Sequence, residues 1–114
     1  MANIYLNAKK DLTVSTAITL YSVPSDSRAI VKSILVSDDT NNGSTITLDL
    51  FSGDPASSPQ FNLFKTKTVA GNSTIQLITE PLILMESEVL QVTAGDANRL
   101  HVVASILEIN RNDQ

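Results

Sequence analysis

Apolar and polar residues alternate with a period of two along most of this chain, and residues suited to turns interrupt the alternation at short intervals. The clearest run is Ser44 to Ser52, where Ile46, Leu48 and Leu50 fall on one side and Thr45, Thr47 and Asp49 on the other. Such spacing places successive side chains on opposite faces of a half-buried strand. Arg28 to Ser37 is richer in β-branched residues. Regular alternation there sets Ile30, Ile34 and Val36 on one face and Ala29, Val31 and Leu35 on the other, which predicts a central strand covered on both sides. Further strands are predicted at Ile4 to Ala8, Leu12 to Val23 with a break near Ser15, Gln60 to Val69, Ser73 to Ile78, Leu82 to Met85, Glu88 to Thr93 and Arg99 to Asn110.

Between these runs lie Pro24 to Ser27, Asp38 to Gly43, Gly53 to Pro59, Ala70 to Asn72 and Gly95 to Asn98. These segments are rich in residues that fix φ, tolerate positive φ or bond their own backbone. Windows with a helical period, such as Glu86 to Val92, are too short and too β-branched to compete. The connections are too short for crossover helices. About eight strands therefore belong in two packed antiparallel sheets, an all-β sandwich of the jelly-roll kind, with a closed barrel as the alternative. The expected core is Ile34, Val36, Ile46, Leu48, Leu50, Leu90, Val92, Val102 and Ile106.

Length and composition narrow this picture. The 114 residues suit one domain spanning 1–114, with residues 1–11 as a possible N-terminal arm. The apolar stretch Pro81 to Met85 is far short of the ~20 residues a membrane-spanning helix needs, so no membrane partner is expected. The opening residues Met1 to Asn7 lack the basic cluster and continuous apolar run of a secretory signal, which suggests synthesis in the cytoplasm. With no cysteine there is neither a disulfide framework nor a thiolate site. Eight basic residues against twelve acidic ones give a net charge of −4, the wrong sign for gripping phosphates, and no nucleic-acid partner is expected.

Candidate chemistry is sparse. The single histidine, His101, sits in a predicted strand with no local nucleophile or orienting carboxylate. Acidic pairs at Asp38-Asp39 and at Glu86 and Glu88 fall in predicted turns, where solvated carboxylates are ordinary, and they are not expected to share a pocket. The run Asp38 to Ser44 has oxygen ligands before a glycine but lacks the ligand spacing and distal glutamate of a calcium loop, leaving metal as a minor option. Neither a catalytic residue nor a cofactor is assigned. Phe51, Phe61 and Phe64 cluster around the Gly53 to Pro59 loop. Phe61 shares its strand face with Leu63 and is expected in the core, whereas Phe64 on the opposite face is an interface candidate.

Three stretches together resemble small virion structural proteins of tailed bacteriophages. They are Thr19-Leu20-Tyr21-Ser22-Val23-Pro24 before a polar turn, Ala29-Ile30-Val31-Lys32-Ser33-Ile34-Leu35-Val36, and the closing run from Pro81-Leu82-Ile83-Leu84 through Leu90-Gln91-Val92-Thr93-Ala94 to Val102-Val103-Ala104-Ser105-Ile106-Leu107-Glu108-Ile109. The resemblance implies a non-enzymatic β-sandwich located in the virion and made in the host cytoplasm. It would decorate or cement the capsid, or form part of the neck, tail or fibres. Its implied partners are other virion proteins, the major capsid protein first, together with further copies of itself. A carbohydrate-binding module is the alternative outside that class.

Contacts with neighbours are expected from the apolar segment Ile4, Tyr5 and Leu6, which precedes the polar run Asn7 to Asp11 and can add a strand to a sheet edge. The run from Leu107 through Ile109 to Arg111 at the other end is a second candidate.

Overall fold

A computed structural model describes residues 2–110, and every regular element among them is a strand. Nine strands form: β1 (Ala2–Leu12), β2 (Ile18–Ser22), β3 (Ser27–Asp38), β4 (Ser44–Phe51), β5 (Gln60–Val69), β6 (Thr74–Ile78), β7 (Leu82–Leu84), β8 (Val89–Ala94) and β9 (Leu100–Asn110). One sheet has the order β1-β9-β3-β6, with β7 continuing the line of β6 along the same flank of β3. The other has the order β2-β8-β4-β5. All pairings are antiparallel, and the interleaving of early and late strands in both sheets is that of a jelly roll. Arg111, part of the second interface candidate, lies outside the described residues.

The core is the space between the sheets. Ala29, Val31, Ile34 and Val36 of β3 and Leu100, Val102, Ala104 and Ile106 of β9 face Ile46 and Leu48 of β4 and Leu90, Val92 and Ala94 of β8. Eight of the nine expected core residues are fully buried, and Leu50 is half-buried at the core margin. Tyr21 on β2 ties the sheets together at one end, where its hydroxyl donates to Glu108 Oε1 on β9 at 2.5 Å.

Bulges account for the places where regular alternation misleads. Lys32 is an extra residue in β3 opposite β9, so Ala29 and Val31 share the inner face with Ile34 and Val36. The expected two-faced arrangement of this strand is thereby corrected. Ile30 and Leu35 turn outward and are partly exposed. In β5 two register shifts against β4 have the same effect, and Thr66 takes a positive φ of 49° at one of them. As a result Phe64 packs against the core and Phe61 is 54% exposed, the reverse of the expected assignment.

The N-terminal segment is longer and better integrated than the sequence suggests. β1 runs to Leu12, which is fully buried, and residues 13–17 form the break before β2. All eleven residues of β1 pair with β9 of the same chain without a register shift. Removing residues 1–8 would strip β9 of more than half its neighbours on that side, so truncation does not separate folding from assembly.

Candidate functional site

The register sets four large apolar residues side by side across the outer face of the β1-β9-β3 sheet. Tyr5 lies opposite Leu107, Leu107 opposite Ile30, and Ile30 opposite Ile83. Tyr5 is 73% and Ile83 63% exposed, with Leu107 and Ile30 partly exposed between them. Ile109 adds to this row from the neighbouring register, flanked by Asn3 and Arg28. The Lys32 ammonium stands 5.6 Å from the centre of the Tyr5 ring. Tyr5, Leu6, Asn7, Lys32, Ser105 and Ile106 line a shallow depression of about 260 Å³ beside the row. The bulge creates this feature, because it brings Lys32 to the outer surface beside Tyr5.

Of the six interface candidates, Tyr5, Leu107 and Ile109 meet on this face. Ile4 and Leu6 alternate to the inner side of β1: Leu6 packs against the core, and Ile4 remains 49% exposed at the rim. Phe64 belongs to the opposite sheet and points inward. Sequence reading missed Ile30 and Ile83. Their hydropathy is visible in the sequence, but their membership of the row depends on a register that spans four strands.

The polar candidates are dispersed. Asp38 is buried, and its Oδ1 accepts from the backbone N and the Oγ1 of Thr40 at 2.7 and 2.6 Å, the bonding of a tight turn. Glu86 accepts from Arg28 Nε through both Oε1 and Oε2 at 3.2 Å, while Glu88 Oε1 accepts from the Met85 N–H at 2.6 Å. Arg28 and Asp38 mark opposite ends of β3, so the two acidic groups are about 30 Å apart. His101 does gain carboxylates that its local sequence does not show. Asp11 Oδ1 lies 3.3 Å from Nε2 and Asp39 Oδ2 lies 4.0 Å from Nδ1, with all three side chains on open surface. Among the described residues no group of three or more His, Asp or Glu is arranged to hold a metal ion. The exposed aromatics Tyr5 and Phe61 stand on different sheets and form no continuous stacking platform.

No protein-family model matches the chain, and no curated protein matches it. Solved structures do. A chain of infectious bursal disease virus, Gx strain, superposes with a TM-score of 0.58 at 12% identity, over 99% of this chain and 33% of that one. A chain of the T13 particle of the same virus gives 0.57 at 12% identity, over 96% and 31%. A subunit of Bacillus endospore appendages, described as disulfide-linked pili, gives 0.50 at 14% identity, over 96% and 85%. This chain thus spans about a third of the length of the viral chains it resembles. It has the fold of a domain found in virus particles.

Proposed function

We propose that this chain is a non-enzymatic structural protein of a tailed-phage virion that decorates the capsid and cements joints between major capsid subunits. The single observation that carries the reading is the apolar row Tyr5, Leu107, Ile30 and Ile83 across the outer face of one sheet. A row of this kind exposed on a folded domain marks a surface that is covered in use. Ile109 extends the contact region on this face and Ile4 lies exposed at its rim, whereas Leu6 and Phe64 pack against the core and would contribute little to it. The jelly-roll architecture, shared with chains of an icosahedral virus, and the phage-like strand and turn pattern support placing that use in a particle.

Cementing requires no chemistry at the site. A protein that binds the assembled shell and not free subunits stabilises the shell by mass action, and many equivalent sites multiply a modest affinity. The reading is tested by counting copies per virion and by adding the purified chain to particles stripped of it. Hundreds of copies, with re-addition restoring resistance of the particle to heat, is the expected outcome. A few copies or a few tens would move the protein to the neck, tail or fibres.

A further inference from the structure

Each sheet of an open sandwich has two edges, and the four edges of this molecule differ. The β5 edge is broken by two bulges, carries Lys65 and Lys67, and holds Thr66 at positive φ. The β2 edge is five residues long and bulged at Leu20. The edge shared by β6 and β7 is divided by Pro81 and shifted in register at Leu77. These are the devices that keep a strand edge from pairing with another chain. β1 has no bulge, no proline and no short span: it is eleven residues long and regular against β9, its two lysines, Lys9 and Lys10, are gathered near one end, and among the described residues no strand pairs with its other side.

We infer that the open edge of β1 pairs antiparallel with β1 of a second copy, so that two sheets join into one across a two-fold axis. The occupant follows from elimination within the molecule. A two-fold pairing consumes both open edges at once and leaves none to propagate, whereas pairing β1 with any other edge would require a bulged or divided strand. The register follows from overlap. Matching Ala2–Leu12 in full with its own reverse sets Asn7 against the partner's Asn7, Tyr5 against the partner's Lys9, Ile4 against the partner's Lys10 and Asn3 against the partner's Asp11.

No like charges face each other in that register, and each Tyr5 ring gains a second lysine beside the one its own Lys32 supplies. The exposed Ile4 receives the alkyl stem of the partner's Lys10. Tyr5 rows from both copies then continue across one joined outer face. This inference stands on the edge geometry and does not depend on the virion reading.

The chain has no cysteine, so a single Asn7→Cys change introduces a lone thiol on the predicted axis. Facing residues of an antiparallel pair have Cα atoms roughly 4.5–5.5 Å apart, within the span of a disulfide. Thr68→Cys on the exposed β5 edge serves as the control. At roughly 100 µM, a concentration suited to interfaces of micromolar affinity, the unmodified chain should sediment at twice its 12.3 kDa. Under mild oxidation Asn7→Cys should cross-link at least about tenfold faster than Thr68→Cys, because pairing raises the local thiol concentration.

A monomer with equally slow cross-linking of both variants overturns the inference. So does a dimer in which Thr68→Cys, or neither variant, is trapped preferentially. Cross-linking of Asn7→Cys to a different virion protein only when particles are present would assign the edge to another partner, and this too would overturn it.

Discussion

The two outer faces of this sandwich are built to opposite rules on equivalent scaffolds. On the β2-β8-β4-β5 face the side chains between the strand ends are Thr45, Thr47, Asp49, Gln91 and Thr93, and they bond laterally. Asn62 Nδ2 donates to Asp49 Oδ1 at 2.5 Å, Gln91 Nε2 donates to Thr19 Oγ1 at 3.3 Å, and the Thr66 N–H donates to Thr47 Oγ1 at 3.0 Å. On the other face the middle register holds Tyr5, Leu107, Ile30 and Ile83. Between their strand ends, where Ser27, Asp38 and Ser44 are buried, both inner faces are apolar. Under the proposed function the difference lies in what each outer face meets, a polar and largely solvated surface needing no cover on the first and another protein surface on the second.

Because the inner faces are equivalent, Leu48→Ala beneath one sheet and Leu100→Ala beneath the other should each cost about 2–5 kcal/mol of unfolding free energy, read from urea midpoints. A cost under about 1 kcal/mol for either would break the symmetry assumed here. On the outer faces the effects should part. Ile83→Asp, at a site well exposed and away from the β1 edge, should leave stability within about 1 kcal/mol of the parent and weaken attachment to particles tenfold to a hundredfold, measured by co-sedimentation. Unchanged attachment would remove the functional distinction between the faces.

Tyr21 joins the sheets at one end, and Tyr21→Phe should cost about 1–2 kcal/mol by leaving Glu108 without its donor. Burial, the hydrogen bond to Glu108 and that carboxylate's charge together push the Tyr21 hydroxyl well above the usual tyrosine range. The native state therefore holds this proton more tightly than the unfolded chain. Its contribution is complete below pH ~10, the unfolded value, and is lost as the pH rises beyond it. The parent should lose stability above that pH more steeply than Tyr21→Phe, and equal slopes in alkaline urea titrations would contradict the assignment. The smallest effect is expected at Thr93→Ser on the polar face, within about 0.5 kcal/mol in stability and without change in attachment.

Strand number, sheet class and most of the core were legible in the sequence because alternation survives wherever pairing is regular. β8 and β9 show this best, with Leu90, Val92, Val102 and Ile106 buried as their spacing predicts. Legibility fails at the bulges. One inserted residue reverses the facing of everything beyond it, and neither Lys32 nor the stretch from Leu63 to Thr66 is a residue type that announces an insertion. This is why Ala29 and Val31 were expected to oppose Ile34 and Val36, and why Phe61 and Phe64 exchanged places. The apolar row was hidden for another reason: its members are far apart in the chain and become neighbours only through pairings that local pattern does not encode.

The position of β9 between β1 and β3 has a consequence for how the molecule comes to be folded. During synthesis β1 emerges early, yet its hydrogen-bonding neighbour is the last strand described, so the order of translation cannot be the order of folding. A ribosome adding about 5–20 residues per second leaves β1 and β3 unpaired on that side for several seconds, against microseconds for a local hairpin. Through that interval the regular β1 segment is available to other chains. The nascent molecule should thus be most prone to aggregate when truncated just before Leu100, and should become soluble once β9 closes the sheet.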